Sequence, residues 1–456
     1  MEGMYSMGIL LVDVLFLVFL LLLGIPLPFC FGGALGLMVI FADINMKSLM
    51  VWGFDQMISL ILVAGPIFIL AGACLSSSKI ADKLLDLTEY FTTKLKGGIG
   101  VIAIITCGFL GAISGSAFTG LAAVGPVLHP KMVSQGYPKG YAASLISAST
   151  ILGVLIPPSV AMITFGWVTG VSVLACFLST VFPGILLMAF LSIINLVDAK
   201  KFKAPEPAGD TAALLTAEAK TTGLAGTAVA KNQKTGAMHR FISALPALSM
   251  PVIILGGIYG GVFTPTEAAS VAVLVCILIG VLSYRTMNAK TLFSALKSSS
   301  SSIGAIMMMI FFCLLLSQTY VMLQLPQQLV ELFTSFTSSK LVVLLFINVF
   351  LLFVGMIVND TTAIVLCAPL LIPLCAAYGV SGVQLAAIMV VNLGFGGLTP
   401  PYASILYLGM RVCDCKFEEM LPSTMKFVVL AYFPVSLLTT YIPALSTWLP
   451  KVMGLS

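Results

Sequence analysis

Apolar runs long enough to cross a bilayer recur along the chain, centred near residues 16, 33, 65, 105, 183, 250, 274, 310, 348 and 436. A hydrocarbon core of about 30 Å takes roughly 20 helical residues to cross. These runs read as helices long enough to span or nearly span it. Only 9% of residues are charged, against about 25% in an average soluble domain, so the chain cannot cover itself with a soluble surface. It is therefore read as an all-α polytopic membrane protein with no room for a separate soluble enzyme module. The first run, Gly8 to Leu23, has no basic residue before it and no small-residue cleavage site after it. It is read as a retained helix rather than a secretory signal.

The formal net charge of +5 suits basic cytoplasmic loops. No basic stripe interleaved with aromatics is present, so nucleic acid is not an expected partner. Ten cysteines are scattered through apolar stretches. Cys413 and Cys415 share a short loop with no histidine near them in sequence, so all ten are expected to be small core residues. His129 and His239 lack cysteine or carboxylate neighbours at ligand spacing. There is no His-Glu-x-x-His, no Walker-type glycine loop and no pair of aspartates on two apolar helices. Hence no organic cofactor, metalloenzyme, ATP-driven pump or intramembrane protease is expected.

One polar break, Lys200 to Arg240, separates two halves. It is rich in Ala, Thr and Gly, holds Pro205 and Pro207, and has Lys200, Lys201, Lys203, Lys231, Lys234 and Arg240 at its ends. It reads as a flexible cytoplasmic linker. The halves repeat: aligning Pro126 with Pro369, an offset of 243 residues, pairs Thr119 with Thr362, Gly136 with Gly379, Gly153 with Gly396, Pro157-Pro158 with Pro400-Pro401 and Gly166 with Gly409. The turn near Gly136 carries Lys131 and Lys139, whereas Cys375 to Gly382 carries no charge. If lysines mark the cytoplasm, the two copies enter the membrane from opposite sides, an inverted repeat of the kind secondary transporters use.

Each copy opens on a polar tip within an apolar run: Ser114-Gly115-Ser116 in the first, Asn359-Asp360-Thr361-Thr362 in the second. From Ser116 to Lys131 a helix rises only about 22 Å, the length of one arm of a re-entrant hairpin. The return arm ends at Pro157-Pro158 or Pro400-Pro401, where missing amide donors break the helix inside the membrane. Broken backbone at that depth must be buried in protein or line a cavity. Hydroxyl, amide and carboxylate oxygens at the tips suit a sodium ion, and helix N-termini there would present amides to an anionic solute. Asp360 is the weightiest ionisable residue, because an acid at membrane depth is functional by default. Asp13 is expected near an interface or against a partner helix. Thr264, Pro265 and Glu267 form a capping box with proline at the first helical position, after glycines expected to allow close helix packing.

The chain resembles the large membrane subunit of tripartite ATP-independent periplasmic (TRAP) transporters over nearly its whole length. The resemblance is carried, in order, by Ile113-Ser114-Gly115-Ser116, Gly153-Val154-Leu155-Ile156-Pro157-Pro158-Ser159, Gly260-Gly261-Val262-Phe263-Thr264-Pro265-Thr266-Glu267-Ala268-Ala269, and Val390-Val391-Asn392-Leu393 leading to Gly396-Gly397-Leu398-Thr399-Pro400-Pro401. It implies a multi-pass protein of the bacterial inner membrane that imports a carboxylate with sodium by an elevator motion. It also implies a soluble periplasmic substrate-binding protein and a small four-helix membrane subunit, the latter expected as a separate chain. Carried onto this sequence, sodium sites fall at Ser114, Gly115, Ser116, Gly153, Pro157, Asn359, Asp360, Thr362, Gly396 and Thr399. Solute contacts fall at Ser116, Pro158, Ser159, Thr361, Asn392 and Pro401. Scaffold helices would occupy 1–98 and 241–338, the two hairpin-and-broken-helix units 99–170 and 339–415, a connecting helix 171–199, the linker 200–240 and a C-terminal helix 416–456. A single-component sodium/dicarboxylate or citrate symporter is the alternative of the same class; a channel or membrane scaffold is the alternative of another.

Overall fold

Each of the ten apolar runs forms a helix in the computed structural model, which describes residues 2–78, 80, 83, 97–202, 237–400 and 403–455. Most of the expected linker, including Lys203, Pro205, Pro207, Lys231 and Lys234, lies outside the described residues, as does Pro401. No strand occurs among the described residues. Among the described residues six helices are long and apolar enough to cross a membrane: Leu60–Ser77, Val173–Ala199, Pro265–Ser283, Ala289–Met322, Asp360–Ala377 and Phe417–Tyr441. A seventh span is the pair Lys139–Leu155 and Val160–Thr169, bent by 40° at its break.

The repeat is visible residue by residue. In the first copy an approach helix, Gly98–Ser114, reaches the tip; an arm, Ala117–Ser134, leaves it; and Lys139–Thr150 returns to the break, followed by Val160–Thr169. In the second copy the arm is Asp360–Ala377, the return helix Gly382–Gly396 and the helix beyond the break Ser404–Val412. The arms begin and end 243 residues apart, the offset between Pro126 and Pro369, and each holds two internal prolines in that register. Gly136 and Gly379 turn the two hairpins with φ of 91° and 66°, a left-handed conformation that costs glycine nothing.

The inversion follows from one helix. Phe417–Tyr441 has 25 residues. Near its start Ser144 of the first return helix donates its hydroxyl to the Met420 carbonyl at 2.8 Å and accepts from Thr424 at 3.0 Å. Near its end Gln384 of the second return helix donates to the Thr440 carbonyl at 3.0 Å, and Tyr441 donates to the Leu341 carbonyl at 3.1 Å. Met420 and Thr440 are about 30 Å apart along a helix, so the two hairpin turns sit at opposite ends of a membrane-length strut. The first-turn end is rich in lysine: Lys139 donates to the Asp414 carbonyl at 3.4 Å and Lys426 pairs with Asp198 at 2.5 and 2.6 Å. Residues 416–456 hold a second helix as well, Ala444–Val452, which packs on Val173–Ala199 with Trp448 edge-on to Phe182.

Two layers face the hairpins. Leu60–Ser77 lies along Pro265–Leu278, and Ala289–Met322 along Leu27–Phe41. From this pair of layers Leu60–Ser77 touches Val160–Thr169, and Ala289–Met322 touches the arm Asp360–Ala377.

Candidate functional site

Both tips reach one cavity of about 100 Å³. Gly115 and Ser116 line it from the first repeat and Asn359, Asp360 and Thr361 from the second, with Ile69 and Ile306 of the facing layers closing its side. Of the residues expected at the tips, these five are brought together around shared space.

The tips differ in how their helix starts are satisfied. Asn359 caps the second arm by accepting from the Thr362 amide at 2.9 Å, and Asp360 accepts from the Thr361 amide at 2.9 Å. The first arm has Ser116 at its N-cap with no side-chain cap, and Ser159 stands likewise uncapping at the start of Val160–Thr169. Two helix N-termini without side-chain caps thus meet at the first tip, joined there by the Val160 amide, which donates to the Gly115 carbonyl at 3.3 Å, and a helix start of this kind favours negative charge. The second tip presents a carboxylate instead.

Several expected residues support the site from behind. Ser114 is fully buried and donates to the Leu110 carbonyl at 3.0 Å, and Thr399 donates to the Phe395 carbonyl at 2.9 Å. Thr362 Oγ1 and Ser159 Oγ are buried with no hydrogen-bond partner among the described residues. A buried hydroxyl left unpaired is costly, and an oxygen-bound cation is one way to satisfy it. Pro157 and Pro158 are joined by a cis bond, and the Pro158 carbonyl presses on Gly115, where a Cβ would lie 2.9 Å away. Gly153 and Gly396 let backbones meet. A Cβ on Gly111 would fall 2.1 Å from Gly153 Cα, and one on Gly396 would fall 2.4 Å from the Gly355 carbonyl carbon.

Asn392 departs from the expectation of a solute contact. Its amide donates to Asn348 Oδ1 at 2.7 Å and to the Ile388 carbonyl at 2.8 Å, and its oxygen accepts from Ser436 at 2.8 Å. Thr440 and Ser436 also donate to Asn348. The side chain is consumed in joining the second return helix to its approach helix, Lys340–Gly355, and to Phe417–Tyr441, and it does not line the tip cavity. Asp13 meets a partner helix, as expected: Tyr320 donates to its Oδ2 at 2.6 Å.

Cys415 has a histidine after all. His129 Nε2 lies 3.5 Å from its Sγ across 286 residues of sequence, a distance that hid the pair. Among the described residues no group of three or more His, Cys, Asp or Glu could hold a metal ion. The capping box forms, with Thr264 accepting from the Glu267 amide and Glu267 accepting from the Thr264 amide at 2.8 Å. The glycines before it serve a turn rather than a helix contact, because Gly257 makes room for the Phe263 ring, which would lie 2.1 Å from a Cβ.

A family profile described as "Tripartite ATP-independent periplasmic transporter, DctM component" matches residues 14–445. The chain belongs to this family. This DctM-family chain is 30% identical over 426 residues to the C4-dicarboxylate TRAP transporter large permease protein DctM of Pseudomonas aeruginosa, covering 93% of its own length and 94% of that protein. It is also 30% identical over 426 residues to the isethionate TRAP transporter permease protein DctMQ of Oleidesulfovibrio alaskensis, and spans 64% of that protein's length. Its fold is that of the Alcanivorax borkumensis YdaH transporter, with a TM-score of 0.61 and 14% identity over 87% of each chain. The DctM-family protein is thus a TRAP large permease, a multi-pass protein of the inner membrane.

Proposed function

We propose that this permease carries a carboxylate inward with sodium, by an elevator motion of the two hairpins and broken helices against the two facing layers. The observation that carries the reading is the tip cavity: two hairpins entering from opposite ends of a membrane-length strut converge on one small space. The solute carboxylate belongs at the first tip, against the amides of Ser116 to Phe118 and the start of Val160–Thr169. Sodium belongs where oxygens lack partners or bear charge, at Thr362, Ser159 and Asp360. The lysine-rich end faces the cytoplasm. Solute arrives on a periplasmic binding protein, and a small four-helix membrane subunit completes the permease. Relatives support an organic anion as solute, since the Pseudomonas aeruginosa protein is a C4-dicarboxylate permease and the Oleidesulfovibrio alaskensis protein a permease for isethionate, a sulfonate.

The test is uptake of a labelled C4-dicarboxylate into liposomes holding this chain and its small partner, with and without an inward sodium gradient and the cognate binding protein. Uptake needing both is expected. Asp360→Ala and Thr362→Ala should each abolish the sodium-dependent part while membrane insertion is kept. Unchanged sodium dependence in both variants would remove the tips from the coupling site, and uptake without either requirement would favour a channel.

A further inference from the structure

The serine run of Ala289–Met322 has no role in the tip cavity and is a poor choice for a helix interior. Ser294, Ser298 and Ser302 recur every four residues and so share a face. That face, with Ser299, borders a second cavity of about 490 Å³, and Ser76 and Ser77 line the opposite wall. Ser302 donates to the Ser298 carbonyl at 3.3 Å, Ser299 to Ala295 at 2.7 Å, Ser76 to Gly72 at 3.2 Å and Ser77 to Ala73 at 3.0 Å. These protons are spent on their own helices, whereas among the described residues the Ser294 and Ser298 hydroxyls make no such bond and can donate into the space. Among the described residues the lining holds no charged side chain. An anion finds room and water there but no cation to detain it, which suits a passage better than a binding site. The cavity flanks Thr119 and Ala122, one turn or more along the arm from the first tip toward the lysine-rich end.

Two side chains, Ile69 and Phe118, border both this vestibule and the tip cavity. Phe118 stands two residues beyond the Ser116 tip yet is 39% exposed, so its ring projects into the space between hairpin and facing layer instead of packing away. We propose that Phe118, closing against Ile69, is the cytoplasmic gate of the tip cavity and that the hydroxyl-lined vestibule is the solute's exit. The inference rests on the reading that solute occupies the tip cavity, and the test separates the two.

Cysteines are placed at Ser298, in the vestibule, and at Ser404, which lines the tip cavity, and labelled with a membrane-impermeant charged maleimide in inverted vesicles carrying the full permease. All ten native cysteines are buried, so background is low. Ser298→Cys should label rapidly and Ser404→Cys slowly. Adding Phe118→Ala or Ile69→Ala should raise the Ser404→Cys rate roughly tenfold without changing that of Ser298→Cys, which reports an intact fold. Unchanged Ser404→Cys labelling in both the Phe118→Ala and Ile69→Ala backgrounds, with normal Ser298→Cys labelling, would overturn the gate. A Phe118→Ala or Ile69→Ala effect that persists while C4-dicarboxylate fails to protect Ser404→Cys would uphold the gate and overturn the solute site.

Discussion

Alanine at Gly111 puts a methyl 2.1 Å from Gly153 Cα and 2.8 Å from Gly153 N. Carbon atoms rest about 3.5–4.0 Å apart, so the approach helix and the end of the first return helix must part by roughly 1.5 Å. The obstacle is backbone, which has no rotamer to yield. Overpacking of this kind costs about 1–3 kcal/mol, more than the 0.5–1 kcal/mol or so that alanine gains over glycine within a helix. The reciprocal change behaves differently. A Cβ on Gly153 finds its nearest neighbours, Gly111 Cα and the Ser116 carbonyl, at 3.1 Å, a shortfall of tenths of an ångström that the helical gain offsets. In the second repeat the roles swap: Gly396, which the offset of 243 pairs with Gly153, meets the Gly355 carbonyl carbon at 2.4 Å when changed to alanine, whereas Gly355, one residue out of register with Gly111, then meets Leu393 at 3.0 Å. Gly111→Ala and Gly396→Ala should therefore lower the unfolding temperature in detergent, followed by fluorescence-detected chromatography, while Gly153→Ala and Gly355→Ala stay near the parent. That assay is independent of transport, so any ion-binding role of these glycines does not enter. Equal losses at Gly111 and Gly153, or the reverse order, would refute the described approach of the two helices.

Asn392→Ala should act on stability rather than on solute. It leaves Asn348 and Ser436 short of a partner in a buried network, a loss of about 1–3 kcal/mol, with the KM for uptake unchanged; a raised KM at unchanged stability would return Asn392 to the solute site. Lys426→Met should remove the 2.5 Å partner of Asp198, which is 5% exposed, and leave it the solvent-exposed Lys201 at 3.7 Å, at a cost of about 1–3 kcal/mol. Adding Asp198→Asn should recover most of the lost thermal stability, and no recovery would mean that Lys426 acts by packing alone.

The architecture was legible because the membrane restricts the chain to few options, so hydropathy located the helices and the offset of 243 residues located both hairpins. Prolines and glycines carried that signal, since leucine matches leucine anywhere but Gly136 and Gly379 mark turns. Polar tips were legible for the same reason: oxygens are conspicuous amid apolar residues. What the sequence hid is what proximity alone decides. Asn392 looks like a ligand until Asn348, Ser436 and Thr440 close around it, and Cys415 looks solitary until the fold brings His129. Ile69 and Phe118 carry no signal, because an apolar residue bordering two cavities reads like any other in the bilayer. The serine run is the one sequence feature that points to the vestibule.

Midway along Phe417–Tyr441 the helix widens into a π-turn over Val428–Tyr432, and Tyr432 uses it to donate its hydroxyl to the Ala148 carbonyl of the first return helix. A π-turn holds one residue more than regular α geometry needs while leaving the flanking turns in phase. Loss of one residue inside it would leave Thr424 facing Ser144 and Thr440 facing Asn348 as now. Loss of one residue elsewhere between Met420 and Thr440 would swing one end by about 100° relative to the other and detach one of the two hairpins. The strut therefore has one slack point, the π-turn, where evolution could drop a residue without a hairpin losing its anchor.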